Sequence, residues 1–165
     1  MKKTLLACTI VGLTSCRETR EAGIMLVMPT ELAVPQDLDS VRIRVVHATR
    51  GEALRQDISL SGNERIPLTY GVGSSSANLL GPYTFQVIGM LHGKAKTLRE
   101  AVTEVPHNDV RALTMPIEFL CYDKVRTLDT GEVVGTCPAG QRCIAGECKP
   151  IPVYQPEELP IYVAP

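Results

Sequence analysis

The chain has 165 residues, with 17 Lys and Arg against 18 Asp and Glu, and its formal net charge is −1 at pH 7. This near-neutral balance, with a sequence pI of about 6.3, gives no basic surface for nucleic acid, so we do not expect nucleic acid as a partner. Apolar residues make up 44% of the chain and charged residues 21%, which argues against a wholly disordered protein.

The first sixteen residues have the layout of an export signal. Met1-Lys2-Lys3 carries positive charge, Thr4 to Leu13 is apolar, and small residues precede Cys16. An apolar helix of this length would span about 15 Å, roughly half of the hydrocarbon core of a bilayer, which is too short for a stable transmembrane helix. We therefore predict that residues 1–15 are a signal peptide that is removed.

The segment Leu13-Thr14-Ser15-Cys16 resembles the lipobox of bacterial lipoproteins. In that family the cysteine thiol receives a diacylglyceryl group, the signal peptidase cuts before this cysteine, and the new amino group is acylated. The resemblance implies that Cys16 is lipidated, with acyl chains such as palmitate as the membrane anchor, and that residues 16–22 form a short tether. Arg17, in place of Asp, implies sorting to the outer membrane.

Two other interpretations of the amino-terminal segment stay open. Leu5-Leu6-Ala7-Cys8 is a rival box, although it leaves only Met1 to Ala7 for the whole signal. An ordinary secretory signal could also end near Gly23, with Cys16 incidental. Cleavage before Cys16 is favoured because charged residues begin immediately after it, and it leaves a mildly acidic mature chain without Lys2 and Lys3.

Residues 23–120 predict an all-β domain, because strand-sized apolar runs alternate with turn residues at intervals of roughly ten to fifteen residues. Val41, Ile43 and Val45 alternate with arginines, and His92-Gly93 is a plausible tight turn. The predicted strands are 23–28, 41–45, 58–60, 66–70, 83–91, 94–105 and 110–120. This pattern favours an immunoglobulin-like antiparallel β-sandwich, with a barrel as the alternative.

Three of these strands carry further expectations. The run at 23–28 is apolar throughout and so predicts a strand that is packed on both sides. Residues 98–105 would also suit a helical turn. In the last strand we expect Leu113, Met115, Ile117 and Phe119 to share one face, and Pro116 predicts a bulge or an edge position.

Residues 121–149 form a cysteine-rich segment with Cys121, Cys137, Cys143 and Cys148. An even number of cysteines in an exported chain indicates two disulfides, because so short a segment cannot build an adequate core alone. Of the three possible pairings we favour Cys121 with Cys143 and Cys137 with Cys148. Zinc is the competing interpretation, although the gaps between these cysteines fit a structural zinc site poorly.

Residues 150–165 form a proline-rich tail that holds five of the twelve prolines of the chain. Such a stretch favours extended backbone. Apolar residues including Ile151, Tyr154 and Ile161 make it less polar than a pure linker. We expect it to pack along the sandwich, with a strip that binds a partner as the alternative.

The sequence offers little for catalysis, and we expect no cofactor and no metal site. Gly73 to Ala77 is a loop of Gly and Ser that lacks the spacing of a nucleophile elbow. His47, His92 and His107 are dispersed singly. A hydrolase that joins His47 or His107 to Ser74, Ser75 or Ser76 is therefore a minority hypothesis.

The lipobox, the sandwich-like middle and the cysteine-rich end together resemble uncharacterised surface lipoproteins of myxobacteria-like bacteria. That resemblance implies a location and an architecture but no activity. We expect a non-enzymatic, lipid-anchored envelope lipoprotein that acts as a binding or scaffolding module for an envelope or extracellular protein. The alternative is a disulfide-stapled protease inhibitor at the cell surface, in which either the loop between Cys121 and Cys137 or the segment around Arg142 inserts into a protease. Arg142 would be the residue recognised by a trypsin-like enzyme.

Overall fold

The computed structural model describes residues 22–63, 66–73 and 81–164. The predicted signal peptide, the lipidation site Cys16 and most of the tether lie outside the described residues. Within the described residues the chain is all-β, with two short 3₁₀ helices and no α-helix. None of the described helices is long and apolar enough to span a membrane.

The described chain forms eleven strands. Of the two 3₁₀ helices, Phe119–Cys121 follows the seventh strand and Pro156–Glu158 lies in the tail. The strands are β1 Gly23–Met28, β2 Ser40–His47, β3 Gly51–Ser59, β4 Leu68–Gly73, β5 Tyr83–Leu91, β6 Lys94–Thr103, β7 Val110–Thr114, β8 Val125–Thr127, β9 Val133–Gly135, β10 Gln141–Ile144 and β11 Glu147–Pro150.

Two sheets enclose the main core. The first is antiparallel with strand order β3-β2-β5-β6, and the second has the order β4-β1-β7, in which β1 is antiparallel to β4 and parallel to β7. Alternate side chains of both sheets point into one shared apolar cluster, as the period of a strand requires. Its most buried members, each at most 2% exposed, include Ile24, Leu26, Met28, Val41, Ile43, Val45, Tyr83, Phe85, Val87 and Leu113.

The strand predictions are confirmed in most places, and the structure corrects several of their details. β3 has nine residues, whereas the sequence indicated only its last part, because Glu52, Arg55 and Asp57 are exposed on an edge strand and interrupt the apolar signal. β6 is a strand along its whole length and not a helical turn, because its residues 97–103 pair with β5 without interruption. β1 is buried fully on one face only, since Met25 and Val27 are half-buried.

The last predicted strand is shorter than expected, because β7 ends at Thr114. Beyond it the chain keeps two contacts with the end of β1, from Met115 N to Val27 O at 2.8 Å and from Ile117 N to Pro29 O at 2.9 Å. Pro116 lies between these two donors and has no N–H of its own. Phe119 leaves the strand and is exposed, so its predicted place on the core face is wrong.

The proline-rich tail packs along the sandwich, as the sequence predicted. Its backbone bonds first to β6, from Val102 N to Pro152 O at 2.8 Å, and then to β7, from Ala112 N to Pro160 O at 2.8 Å. Between these contacts Leu159 inserts into the main core and is 5% exposed. The tail therefore covers the side of the sandwich where β6 and β7 are the edges of the two sheets.

Candidate functional site: the cysteine-rich module

Residues 121–149, called the cysteine-rich module below, contain the two predicted disulfides. Cys121 is bonded to Cys143 across 22 residues and Cys137 to Cys148 across 11, each with a Cα–Cα distance of 5.6 Å. All four sulfurs are thereby engaged, which removes the zinc alternative for these cysteines. No group of three or more His, Cys, Asp or Glu side chains that could hold a metal occurs in the described part of the chain.

The disulfides fasten one hairpin to two different segments. Cys143 of β10 lies directly opposite Cys148 of β11 in the ladder, yet each is bonded to a cysteine outside the hairpin. The turn between the two strands is Ala145-Gly146, and both residues have positive φ, of 51° and 84°. This is the backbone that a two-residue hairpin turn requires. The hairpin is thus cross-linked on one side to the helix Phe119–Cys121 and on the other to the loop before β10.

The cysteine-rich module packs on the outer face of the four-stranded sheet. Ile88 and Met90 of β5 and Leu98 of β6 form a second apolar cluster with Val133 of β9, and Ala95 and Val125 pack against it. β5 is consequently buried on both faces along most of its length. The module is therefore attached to the sandwich by packing as well as by the chain.

A buried ion pair also joins the cysteine-rich module to the sheet. Arg142 of β10 lies against the carboxylate of Glu100 on β6, whose side chain is 3% exposed. Glu100 Oε1 also accepts a hydrogen bond of 2.6 Å from Gln86 Nε2. Burial lowers the pKa of the Arg142 guanidinium from its usual range. Because Arg142 is turned onto the sheet, the structure does not present it for insertion into a protease.

The polar contacts continue across the sheet from this ion pair. Gln86 Oε1 accepts a hydrogen bond of 3.1 Å from Arg44 of β2, and Arg44 forms a 2.6 Å ion pair with Glu52 of β3. Arg44, Gln86 and Glu100 are register partners on adjacent strands, so they form one row. Through Glu52 the row reaches the exposed edge strand β3, and at Glu100 it reaches the buried contact with Arg142 beneath the module.

Two adjacent large apolar side chains remain exposed beside the cysteine-rich module. Phe119 and Leu120, called the apolar tip below, are each 60% exposed and immediately precede the disulfide at Cys121. The Phe119 ring stacks on that of Tyr122 at 6.4 Å between centroids. Leu120 lies against the β10–β11 turn, where a Cβ placed on Gly146 would come within 3.3 Å of the Leu120 Cβ.

Two acidic side chains accept hydrogen bonds that fix the backbone around the apolar tip. Phe119 N donates to Glu31 Oε1 at 2.8 Å, and Ala145 N donates to Glu118 Oε2 at 3.1 Å. Lys96 lies 5.2 Å above the Tyr122 ring and forms a 2.8 Å ion pair with Asp123, which raises the pKa of the Lys96 ammonium. The exposed side chains are thus carried by an ordered backbone.

The opposite end of the sandwich contains a polar cleft of about 330 Å³, lined by residues 104–109, Arg111 and residues 155–157. Arg111 donates to both carboxylate oxygens of Asp109, at 3.1 and 2.8 Å, and to Leu159 O at 2.8 Å. Its guanidinium therefore holds the tail in place. His107 is exposed in this cleft.

Of the other two histidines, His47 is the last residue of β2 and His92 lies in the turn between β5 and β6. His47 Nδ1 accepts hydrogen bonds from Thr49 N at 3.1 Å and Arg50 N at 3.2 Å, which organise the turn between β2 and β3. His92 forms the predicted tight turn between β5 and β6. The loop with Ser74, Ser75 and Ser76 lies outside the described residues, so the hydrolase hypothesis gains no support from the contacts of His47 or His107.

Sequence reasoning did not single out the apolar tip or Glu100. Phe119 continues the alternation of apolar and other residues that precedes it. Only Pro116 and the nearby Cys121 indicate in the sequence that the strand has ended. Glu100 is an ordinary acidic residue in the sequence, and its burial depends on Arg142, which lies 42 residues further along the chain. No family model, no curated protein and no solved structure matches this chain.

Proposed function

We propose that the protein is a non-enzymatic, lipid-anchored lipoprotein of the cell envelope that binds a protein partner through its apolar tip. Support for the anchor comes from the lipobox-like segment that ends at Cys16. Support for the binding surface comes from the pair of exposed side chains, Phe119 and Leu120, beside a cross-linked hairpin. This exposed pair is the observation that carries the binding part of the proposal.

The start of β1, to which the tether would connect, and the apolar tip lie at opposite ends of the sandwich. Gly23 begins β1 and pairs with Val110 at the start of β7. The chain reaches the other end after Met28, where Thr30 bridges Ile117 and where Phe119 bonds to Glu31. A tether of residues 16–22 spans about 25 Å at most. A lipidated Cys16 would therefore hold the Gly23 end near the membrane and direct the apolar tip away from it.

The structure of the apolar tip suits protein recognition. Aromatic side chains, Phe among them, are enriched in the buried centres of protein interfaces. Ordering a flexible surface costs free energy on association. Here the Cys121–Cys143 disulfide and the hydrogen bonds that Glu31 and Glu118 accept already order the backbone before a partner binds. An envelope protein with an apolar pocket is the partner that this surface fits.

The anchor is tested by the intact, non-reduced mass of the protein extracted from its host's membranes. We expect the mass of residues 16–165 plus acyl chains, less four hydrogens for two disulfides. A Cys16→Ser variant should carry no acyl chains and should keep its signal peptide. An unacylated wild-type chain, or four free thiols, would contradict the proposal.

The binding surface is tested by a photoreactive side chain placed at Phe119 in the living host. We expect it to form a cross-linked adduct with one envelope protein. The matched control carries the same group at Ile161, a residue of the tail that is 62% exposed. A Leu120→Ser change should reduce the adduct at Phe119, whereas Val153→Ser should not. Equal adducts at Phe119 and Ile161 would show that the apolar tip has no specific partner.

A further inference from the structure

The two sides of the sandwich differ in whether the tail covers their edge strands. The tail bonds to β6 and β7 on one side, whereas on the other side β3 is the edge of the four-stranded sheet. Within the described part of the chain, β2 is the only strand that pairs with β3. An exposed edge of nine residues is a template for pairing with another strand.

The carboxy-terminal part of β3 is regular and suited to such pairing. A bulge in the β2–β3 ladder, between Val45 and Val46, leaves Ala53 without a register partner. Beyond it, Leu54 to Ser59 pair with β2 residue by residue. A bulge commonly turns an edge away from partners, and here it affects only the first part of the strand.

We propose that β3 pairs antiparallel with β3 of a second copy of this chain, with Gln56 opposite Gln56 at the two-fold axis. In this register Arg55 of each copy faces Asp57 of the other, which gives two opposite-charge pairs. Leu54 of each copy faces Ile58 of the other, which gives two apolar pairs. The two four-stranded sheets then form one continuous eight-stranded sheet.

Symmetry and charge select this register. The two-fold axis of an antiparallel pair is perpendicular to the sheet, so facing residues must point to the same side of it. Arg55 and Asp57 satisfy this condition, because both lie opposite arginines of β2 on the outer face. They are exposed, with side-chain values of 48% and 59%. The axis cannot pass through Arg55 or Asp57, because like charges would then face each other, and centring on Leu54 would include the bulge. Centring on Ile58 would place Asp57 opposite Ser59 and would give no opposite-charge pair.

In the proposed pairing, Arg55 and Asp57 are charged side chains that already contact charged partners in their own chain. Asp57 accepts hydrogen bonds from Arg42 of its own chain at 2.7 and 3.0 Å. Arg55 lies 3.5 Å from Glu52. In the dimer each Asp57 carboxylate would lie between Arg42 of its own chain and Arg55 of the second copy.

If the proposed lipid anchor is correct, the antiparallel arrangement determines how the two copies are oriented relative to membranes. β3 runs from Gly51, near the Gly23 end, to Ser59, beside the end that carries the apolar tip. The Gly23 ends of the two copies therefore point in opposite directions. With acyl chains on Cys16, the dimer would connect two membranes that face each other.

The pairing is tested first without lipid, using the full chain with Cys8→Ser and Cys16→Ser in detergent. A Gln56→Cys variant should form a disulfide-linked dimer under mild oxidation, because the two introduced sulfurs face each other. The control Ser59→Cys should not, because its two positions lie about 20 Å apart along the strands. Equal cross-linking of both variants, or none with Gln56→Cys, would overturn the proposed register.

Charge reversal tests the same register in equilibrium sedimentation. Arg55→Asp alone places acidic pairs across the axis, and Asp57→Arg alone places basic pairs there. Each variant should dimerise about tenfold more weakly than the unchanged chain, and a mixture of the two should recover the lost affinity as a heterodimer. Cooperative thermal unfolding of each variant would show that both are folded. Failure of the mixture to recover would contradict the pairing.

Membrane connection is tested with lipidated protein on two populations of phosphatidylethanolamine and phosphatidylglycerol vesicles. Vesicles that carry Arg55→Asp should cluster with vesicles that carry Asp57→Arg, and each population should cluster with itself much less. If the detergent experiments succeed and the vesicles do not cluster, the dimer is correct and its role between membranes is wrong. If the mass shows no acyl chains, the lipid anchor is wrong and the β3 pairing stands on its own.

Discussion

The sandwich and the cysteine-rich module are stabilised in different ways. The sandwich buries many large apolar side chains, including Tyr83, Phe85 and Ile24, between two sheets. The module buries only Cys121, Val133 and Cys143 among its described residues, and its strands have three or four residues each. Short hairpins of this kind are marginal in water on their own. The comparison shows that the module depends on cross-links and on the sheet beneath it.

The outer face of the sheet reflects this dependence. Where the module lies, β5 and β6 present Ile88, Met90 and Leu98. Where the face is uncovered, β2 and β3 present charged pairs such as Arg42 with Asp57. One sheet therefore carries an apolar surface suited to burial and a charged surface suited to water. The row from Arg44 to Glu100 crosses the boundary between these two surfaces.

The largest expected effect comes from the core of the sandwich. Phe85→Ala should lower the free energy of unfolding by about 3 to 5 kcal/mol, because Phe85 is fully buried and the space it leaves cannot close completely. Equilibrium unfolding in urea measures this loss. The control Phe119→Ala removes an equally large but exposed side chain and should cost far less. Similar losses from both changes would contradict the assigned core.

The next effect separates the two disulfides. Replacing Cys121 and Cys143 by Ala should cost about 3.4 kcal/mol, and replacing Cys137 and Cys148 about 2.8 kcal/mol, because the longer loop constrains the unfolded chain more. Urea unfolding of both double variants gives the difference. Near-UV circular dichroism should show that Tyr83 and Phe85 keep their packing in each case. Loss of the sandwich signal in either variant would show that its core depends on the module.

The sequence contains enough information for the sandwich but not for the contact between the two regions. Alternation such as that of Val41, Ile43 and Val45 depends only on the period of a strand, so it can be recognised locally. The four cysteines likewise indicate their own chemistry. The Glu100–Arg142 pair and the exposed position of Phe119 depend on how a distant hairpin lies on a sheet, and local pattern carries no signal for that.

The contact between the regions can be broken at Arg142. Arg142→Met leaves the Glu100 carboxylate buried without its cation, and we expect a loss of about 2 kcal/mol, since Arg142 itself keeps some contact with water. Combining it with Glu100→Gln should restore most of the loss, because no charge then remains buried. A double-mutant cycle in urea measures the coupling. Additive losses would show that the pair contributes nothing to docking.

The smallest expected effect concerns Asp39, which fastens the β5–β6 turn to the start of β2. Its carboxylate accepts hydrogen bonds from His92 N at 2.6 Å and from Ser40 Oγ at 2.8 Å, and these bonds hold the pKa of Asp39 below its usual value of 3.8. A carboxylate with a lowered pKa in the folded state stabilises the protein above the unfolded-state pKa. That contribution is lost as the pH falls through the lowered folded-state value.

Asp39→Asn should therefore lower the Tm slightly at pH 5.5, and the difference from the unchanged chain should disappear as the pH falls below 3.8 toward and past the lowered pKa. Thermal unfolding between about pH 2.5 and 5.5 measures this difference. Asp129→Asn, at an exposed position in the β8–β9 turn of the module, is the matched control. A difference that persists at the lowest pH would contradict a role for the charge of Asp39, because the carboxyl group of the unchanged chain is then neutral as well.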